Sequence, residues 1–387
     1  RPPGGATATG NPDMKRRSFL KAGTMAGGAM VFGGIPATKP AASQSMKRGQ
    51  TPGGLDITIA GYPFDHVRPL IDGRVQVKGC NVSFEQGRIG DLNTHVFSGP
   101  RELEVTEIGL SPFMLACANE GFRDYSLIPV FPLRLFRHKS VFVHTDLGIE
   151  RPEDLKGRRI GTPGYSSTSL TWIRGFMQHE YGVKPEDVEW VVSAADSSAK
   201  DAGRVSKQES ILPEGISISE GPEGKDESDM LVDGDVDALF HAAEPKAFTE
   251  GHPRIRRLFV DSRSTERDYF ARTGIFPIMH VVAMRNDVID AHPWLPEAVF
   301  NAYSQAKQMQ YEAMRMQWIF GTLPWFGQEL EETRSLMGEN FWPYGIDANR
   351  KTLDALFQYS YEQGLASRRL SVEDLFVPSS LRFRETT

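Results

Sequence analysis

DLKGRRIGTPGYSSTSLTWIRGFM, residues 154–177, reads as a strand, a polar turn and the start of a helix in one piece. Arg159-Ile160-Gly161-Thr162 forms the strand, and Ser166, Ser167, Thr168 and Ser169 place hydroxyls where a helix begins its run toward Trp172 and Phe176. The first amides of a helix lack internal partners and sit at the positive end of its dipole, so such a turn suits a carboxylate or phosphate. Ordinary N-capping by Ser or Thr produces the same pattern. Either way the segment is a β-turn-α unit, which points to α/β architecture.

The rest of the chain agrees. Short apolar or alternating runs at 55–61 (LDITIAG), 81–85, 104–111 and 140–146 read as strands, with helical spacing at 112–118 and 170–181. A second set of strands follows at 159–162, 188–193, 236–240 and 255–260. Segment 194–228 is rich in Ser, Gly, Asp, Glu and Lys and reads as a long exposed connection, too polar to bury. GIFPIMHVVAMRND, 274–287, is strand-like, and helices dominate the remainder: one long helix within 292–320, then two more at 326–338 and 348–363. The loose stripe Val299, Tyr303, Met309 and Met316 reads as core packing.

Met14-Lys15-Arg16-Arg17-Ser18-Phe19-Leu20-Lys21, followed by the Gly-rich AGTMAGGAMVFGGIPA, looks like a twin-arginine export signal cleaved between Ala37 and Ser45. The implied organisation is an upstream extension at 1–13, a signal peptide at 14–45, a linker at 46–54, a first lobe at 55–143, a second lobe at 144–275, and a return with C-terminal helices at 276–387. Removing residues 1–45 takes away six basic residues and one acidic one, moving the formal charge from −6 to −11. Such a chain has no charge affinity for nucleic acid or an anionic membrane, although arginines in a cleft can still hold an anion. Cys80 and Cys117 read as two separate thiols, at least one of them buried.

Two α/β halves, entered once, left, and completed by a C-terminal return, resemble the type II periplasmic binding protein fold, with its cleft between two lobes. VFPLRLFRHKSVFV (130–143), RTGIFPIMHVV (272–282), LEETRSLMGENFWPYGIDANRKTL (330–353) and YSYEQGLASRRL (359–370) resemble the 4,5-dihydroxyphthalate decarboxylase family, which shares that fold. The resemblance implies either of two activities, since the family name covers decarboxylases of phthalate breakdown and exported proteins regarded as substrate-binding components of ABC- or TRAP-type transporters.

No Walker loop, G-x-S-x-G, HExxH or zinc-type Cys/His spacing is present, so no metal and no cofactor is expected. Candidate ligand-binding residues are Tyr62 and Ser111, each after a strand where open α/β sheets take ligands. An N-cap role is the alternative for Ser111. Arg134 and Arg137 offer a bidentate clamp for a carboxylate, with surface ion pairing as the alternative. Tyr165, Ser167, Thr168 and Arg174 form a further group around the turn, and Trp172 reads as core. His280 sits near the return crossover, as a cleft residue or a buried hydrogen-bonded histidine, and His241 follows a strand at 236–240.

The export signal favours a periplasmic solute-binding protein that captures a small, aromatic carboxylate for a membrane permease and meets the twin-arginine translocase on its way out. The alternative is a 4,5-dihydroxyphthalate decarboxylase-type enzyme, with Arg137 holding a carboxylate and His280 as the acid that protonates the ring carbon. Arg134 and the 165–168 turn are expected on opposite walls of one cleft.

Overall fold

The computed structural model describes residues 53–203 and 205–385, so the export-signal segment lies outside the described residues. Eleven strands among them form two sheets. They are β1 (Leu55–Gly61), β2 (Cys80–Gln86), β3 (Val105–Gly109), β4 (Tyr125–Ile128), β5 (Val141–His144), β6 (Arg159–Thr162), β7 (Glu189–Val192), β8 (Ile218–Glu220), β9 (Ala238–Phe240), β10 (Ile255–Arg257) and β11 (His280–Arg285). The first sheet runs β2-β1-β3-β11-β4 and the second β10-β5-β9-β6-β7-β8. β1 is parallel to β2 and β3, whereas β11 comes back after the second lobe and inserts antiparallel between β3 and β4. This is the two-lobed type II arrangement.

β5 pairs with β9 and β10, so the chain has crossed to the second sheet before Val141, a few residues earlier than the expected boundary at 143. The outgoing crossover lies beside the returning one. Arg134 bridges to Ile278, Leu135 N donates to Pro277 O (3.1 Å), and Met279 N donates to Leu133 O (2.8 Å). Two extended segments thus form a short ribbon between the lobes.

The turn that opened the sequence reading begins the helix Thr168–Tyr181, capped by Ser167 Oγ, which accepts from Leu170 N, and ended by Gly182 at φ 65°. Residues 168–177 are all buried. Part of the cover is the C-terminal helix Arg350–Glu362: Tyr359 lies against Gly175, where a Cβ would fall 2.0 Å from the Tyr359 ring, and Gln363 Nε2 donates to Thr171 O (2.9 Å). The return therefore packs on a second-lobe helix as well as on the first sheet. One continuous apolar core includes Ile59 and Ile108 of the first sheet and Ile160, Trp172 and Trp190 of the second lobe.

Two sequence expectations need correction. Segment 194–228 is not an open connection: Ser206, Gln208, Glu227 and Ser228 are buried, and β8 forms an edge of the second sheet. Its polar side chains pair with one another and with buried backbone, which is how a polar segment tolerates burial. The Met-rich stripe is core only in part. Val299 and Tyr303 are buried, but helix Leu295–Phe320 has no buried residue after Lys307, and Met316 is 49% exposed. Cys80 and Cys117 are both buried and free. No helix among the described residues is long and apolar enough to cross a membrane.

Candidate functional site

Between the sheets, beyond the ends of β1, β3 and β6, lies a cleft of about 350 Å³. The crossover ribbon supplies Leu133, Leu135, Arg137, Met279 and His280, and the helix start at 167–170 faces them. Asp196, Ser198, Asp201 and Glu209 add polar groups to the lining.

His280 is set by sheet register. It pairs with Gly109 in β3, and Glu107, two residues away, projects from the same face of that strand. His280 Nδ1 donates to Glu107 Oε1 in a short contact, and Glu107 Oε2 accepts from Tyr62 N at 2.9 Å. The carboxylate lies so close over Gly61 that a Cβ there would sit 2.8 Å from Oε2, so only glycine fits. Holding Nδ1 by the carboxylate fixes the ring and leaves Nε2 for the cleft. Tyr62 stacks on the imidazole with centroids 6.0 Å apart, while its hydroxyl accepts from Ile89 N (2.9 Å) and donates to Asp201 O (3.3 Å). Burial raises the Tyr62 pKa, keeping this hydroxyl protonated.

Arg137 is 4% exposed. Its Nη1 donates to Ala242 O (2.5 Å) and Nε to the Met279 sulfur (3.3 Å), yet no carboxylate pairs with it among the described residues. Burial pulls its pKa down to about 10, so it is still a cation near neutrality. Ser169 Oγ touches the same sulfur at 3.5 Å, which places Arg137 and the helix start within about 7 Å of each other. A guanidinium and the first amides of a 14-residue helix converge on one apolar-walled space, an arrangement with the chemistry to hold an anion.

A second polar group lies on the cleft wall. His241 Nε2 is 3.3 Å from Glu227 Oε1 and 3.4 Å from Asp196 Oδ1. Ser197 donates to Glu227 through N (3.1 Å to Oε2) and Oγ, and Ser198 donates to Asp196 Oδ1 through N and Oγ, both at 2.7 Å. Burial raises the Glu227 pKa. Burial also acts to raise that of Asp196, but hydrogen bonds from His241 and Ser198 outweigh it and the net shift is downward.

Of the residues singled out from sequence, Tyr62, Arg137, Ser167, Thr168, His241 and His280 come together here. Arg134 does not. It is 2% exposed, donating to Pro343 O (3.2 Å) and Phe276 O (2.7 Å) with its guanidinium over the Phe276 ring, and burial lowers its pKa to about 9. The reason is the period of two in an extended segment: Leu133, Leu135 and Arg137 line the cleft, so the intervening Arg134 points to the other side. The expected pairing of Arg134 with the 165–168 turn across one cleft is therefore wrong.

Tyr165 and Arg174 are core residues. Arg174 lies 3.6 Å over the Tyr165 ring and donates to Tyr165 O (2.5 Å) and Gln363 Oε1 (2.9 Å), while Tyr165 meets Trp190 edge-on. Burial lowers the Arg174 pKa to about 10. Ser111 is fully buried at the seam, its amide donating to Thr168 Oγ1 at 3.0 Å. Trp172 is core, with Nε1 donating to Ile278 O. Glu107, Asp196 and Glu227 were not anticipated. Glu107 had a signal, an acid inside the otherwise uncharged strand VTEIG, which is buried at all five positions.

Residues 134–205 match the family described as NMT1/THI5 like. The 4,5-dihydroxyphthalate decarboxylase of Comamonas testosteroni is 37% identical over 328 residues, covering 84% of this chain and 98% of that protein. The enzyme of the same name from Pseudomonas putida is 34% identical over 216 residues, or 56% and 81% of the two chains. A periplasmic sulfonate-binding protein from Methylobacillus flagellatus matches in structure with a TM-score of 0.51 at 14% identity, covering 85% of this chain and 93% of that one, which shows the shared fold. With the first of these relatives matched along nearly its whole length, the chain belongs to the 4,5-dihydroxyphthalate decarboxylase family.

Proposed function

We propose that this protein is a carboxy-lyase acting on a small dihydroxylated aromatic dicarboxylate, 4,5-dihydroxyphthalate or a close analogue. The observation that carries the reading is the buried Glu107–His280 pair lining the same cleft as Arg137, a buried guanidinium with no carboxylate salt bridge among the described residues. A receptor that only binds needs the guanidinium and the helix amides. It has little need of an imidazole oriented by a buried carboxylate.

In this scheme Arg137, with the amides of Thr168 and Ser169, holds the carboxylate that is retained. His280 Nε2 delivers a proton to the ring carbon bearing the other carboxylate, and the ring hydroxyl para to that carbon supports the electron shift. The C–C bond then breaks, its electron pair returns to the ring, and carbon dioxide leaves. One proton is consumed and a dihydroxybenzoate is formed. Leu133, Leu135 and Phe64 give the ring apolar walls, and the volume lies toward the lower end of the roughly 300–1,000 Å³ of ligand sites. Incubation with 4,5-dihydroxyphthalate, followed by chromatography and carbon dioxide detection, tests this. Absence of turnover with the substrate demonstrably bound would remove the enzymatic reading.

A second reading keeps the same carboxylate site in a periplasmic solute-binding protein that serves a transporter. The export-type sequence around Arg16-Arg17 favours it. Replacing both arginines by lysine and following the precursor in cell fractions tests the export step. Delivery to the periplasm that does not change in this variant would remove the support for this reading.

A further inference from the structure

The Asp196–Glu227–His241 cluster brings two carboxylates and an imidazole onto one point. No Lys or Arg pairs with either carboxylate among the described residues, and the Glu227 and His241 side chains are fully buried. A divalent cation is the natural counter-charge for two carboxylates and a neutral imidazole whose donor atoms converge in this way. An uncompensated charge at such depth is costly.

The spacing also suits a metal. Donor separations of 3.3 and 3.4 Å are close to those of adjacent ligands around a first-row dication, since two bonds of about 2.1 Å at about 90–110° put donors roughly 3.0–3.4 Å apart. All three ligating atoms lie within 4.8 Å of one another. The hydrogen bonds from Ser197 and Ser198 fix the carboxylates, and Ala243 O lies 2.8 Å from His241 Nδ1. Ala243 N also donates to Nδ1 at 2.9 Å, so the ring proton sits on Nε2 toward the two acids, and a bound cation would take that proton's place, with Nδ1 then donating to the carbonyl.

Independently of the cluster, Arg137 marks the same place as a ligand site. It is buried with no carboxylate salt bridge among the described residues, and its Nη1 bonds the carbonyl of Ala242, the residue next to His241.

We propose that Asp196, Glu227 and His241 bind a divalent cation of the Mn²⁺, Fe²⁺ or Zn²⁺ type, with its open coordination positions turned into the cleft beside Arg137. Resting on the reading of the cleft as a site for a dihydroxylated aromatic acid, the two adjacent ring hydroxyls are the oxygen pair that would chelate it, and hard oxygen donors match a carboxylate-rich site.

The test uses the full chain after dialysis against a chelator, titrated with Mn²⁺ and followed by calorimetry and by loss of the free Mn²⁺ electron paramagnetic resonance signal. One site per chain with micromolar affinity is expected, weakened at least about 100-fold in Asp196→Asn and His241→Ala. Asp196 is the most exposed of the three, so Asp196→Asn gives an answer even if a variant at Glu227 fails to fold. Failure of both Mn²⁺ and Zn²⁺ to bind below millimolar concentration would overturn the proposal, as would binding that both variants leave intact. Mn²⁺ bound at this site with no action on 4,5-dihydroxyphthalate would sustain the cation site and remove the decarboxylase reading. Full turnover by protein that binds no cation would do the reverse.

Discussion

Arg137 and Arg134 stand three residues apart, both buried and both without a carboxylate partner, and the structure assigns them opposite fates. Replacing Arg137 by Gln removes the cation from the cleft. A bound carboxylate then loses a charge-assisted contact that the apolar walls of the cleft do not replace. Truncating one side of such a pair costs about 2–5 kcal/mol, or roughly 30- to 4,000-fold in affinity. The fold loses one strong hydrogen bond, to Ala242 O, worth about 1.5–3 kcal/mol, but it no longer has to bury a guanidinium whose pKa is already pulled down to about 10. The two effects oppose each other, so the melting temperature should move by only a few degrees. Arg134→Gln should do the opposite. It gives up donors to Pro343 O and Phe276 O and the contact with the Phe276 ring. Relief from burying a guanidinium whose pKa is pulled down to about 9 returns part of this, and the net loss is about 1–3 kcal/mol of stability, while ligand affinity is unchanged. Phthalate is the right probe, because it keeps both carboxylates but lacks the hydroxyls that decarboxylation needs, so calorimetry reads binding without turnover. Arg137→Gln that binds phthalate within threefold of wild type, or folded Arg134→Gln that loses it, would refute the assignment.

Glu107→Gln keeps an acceptor for Tyr62 N but removes the charge behind His280. It should lower kcat by about 100-fold or more and change KM little, with partial recovery in Glu107→Asp. Equal losses in both constants would mean that Glu107 only holds the fold. His138 is buried against Phe176 with neither ring nitrogen bonded, and burial pushes its pKa down to about 4. The unfolded chain takes up a proton near pH 6.5 and the folded one does not. This group's contribution is therefore complete above 6.5 and is lost as the pH falls toward 4, by about 3 kcal/mol in all. In His138→Leu that part of the acid sensitivity should vanish from melting curves measured between pH 7 and 4.5; an identical slope would contradict it. Gly175→Ala should destabilise by about 3 kcal/mol or more, because its methyl would meet the Tyr359 ring, and adding Tyr359→Ala should recover part of the loss in a double-mutant cycle.

The strands and the capped helix at 168 were legible because each rests on local pattern: alternation, a hydroxyl cap and a terminal glycine. The site was legible only where a residue's position along the chain already fixed which way it points. Tyr62 follows a strand and Thr168 starts a helix, and both reach the cleft. Choosing between Arg134 and Arg137 needed the phase of the crossover ribbon, which the pairing of residues 133–135 with 277–280 sets across more than 140 positions. The acids Asp196 and Glu227 were hidden for a related reason. In a segment full of Ser, Asp and Glu, nothing local marks which side chains fold inward to meet His241. Arg174 and Tyr165 mislead in the opposite sense, since a cation over an aromatic ring inside a core carries no sequence mark that separates it from a ligand clamp.

The apolar core that runs without a break from the first sheet through Trp172 and into the second lobe has a consequence for how the protein comes apart. Two lobes with separate cores would melt separately, and a ligand between them would protect each only in part. Here most of the apolar packing is shared, and only a small cluster around Phe142, Leu231 and Leu239 belongs to the second lobe alone. Residues 53–385 should therefore unfold in one calorimetric transition whose van't Hoff and calorimetric enthalpies agree, and any ligand of the cleft should move that single peak as a whole, without splitting it.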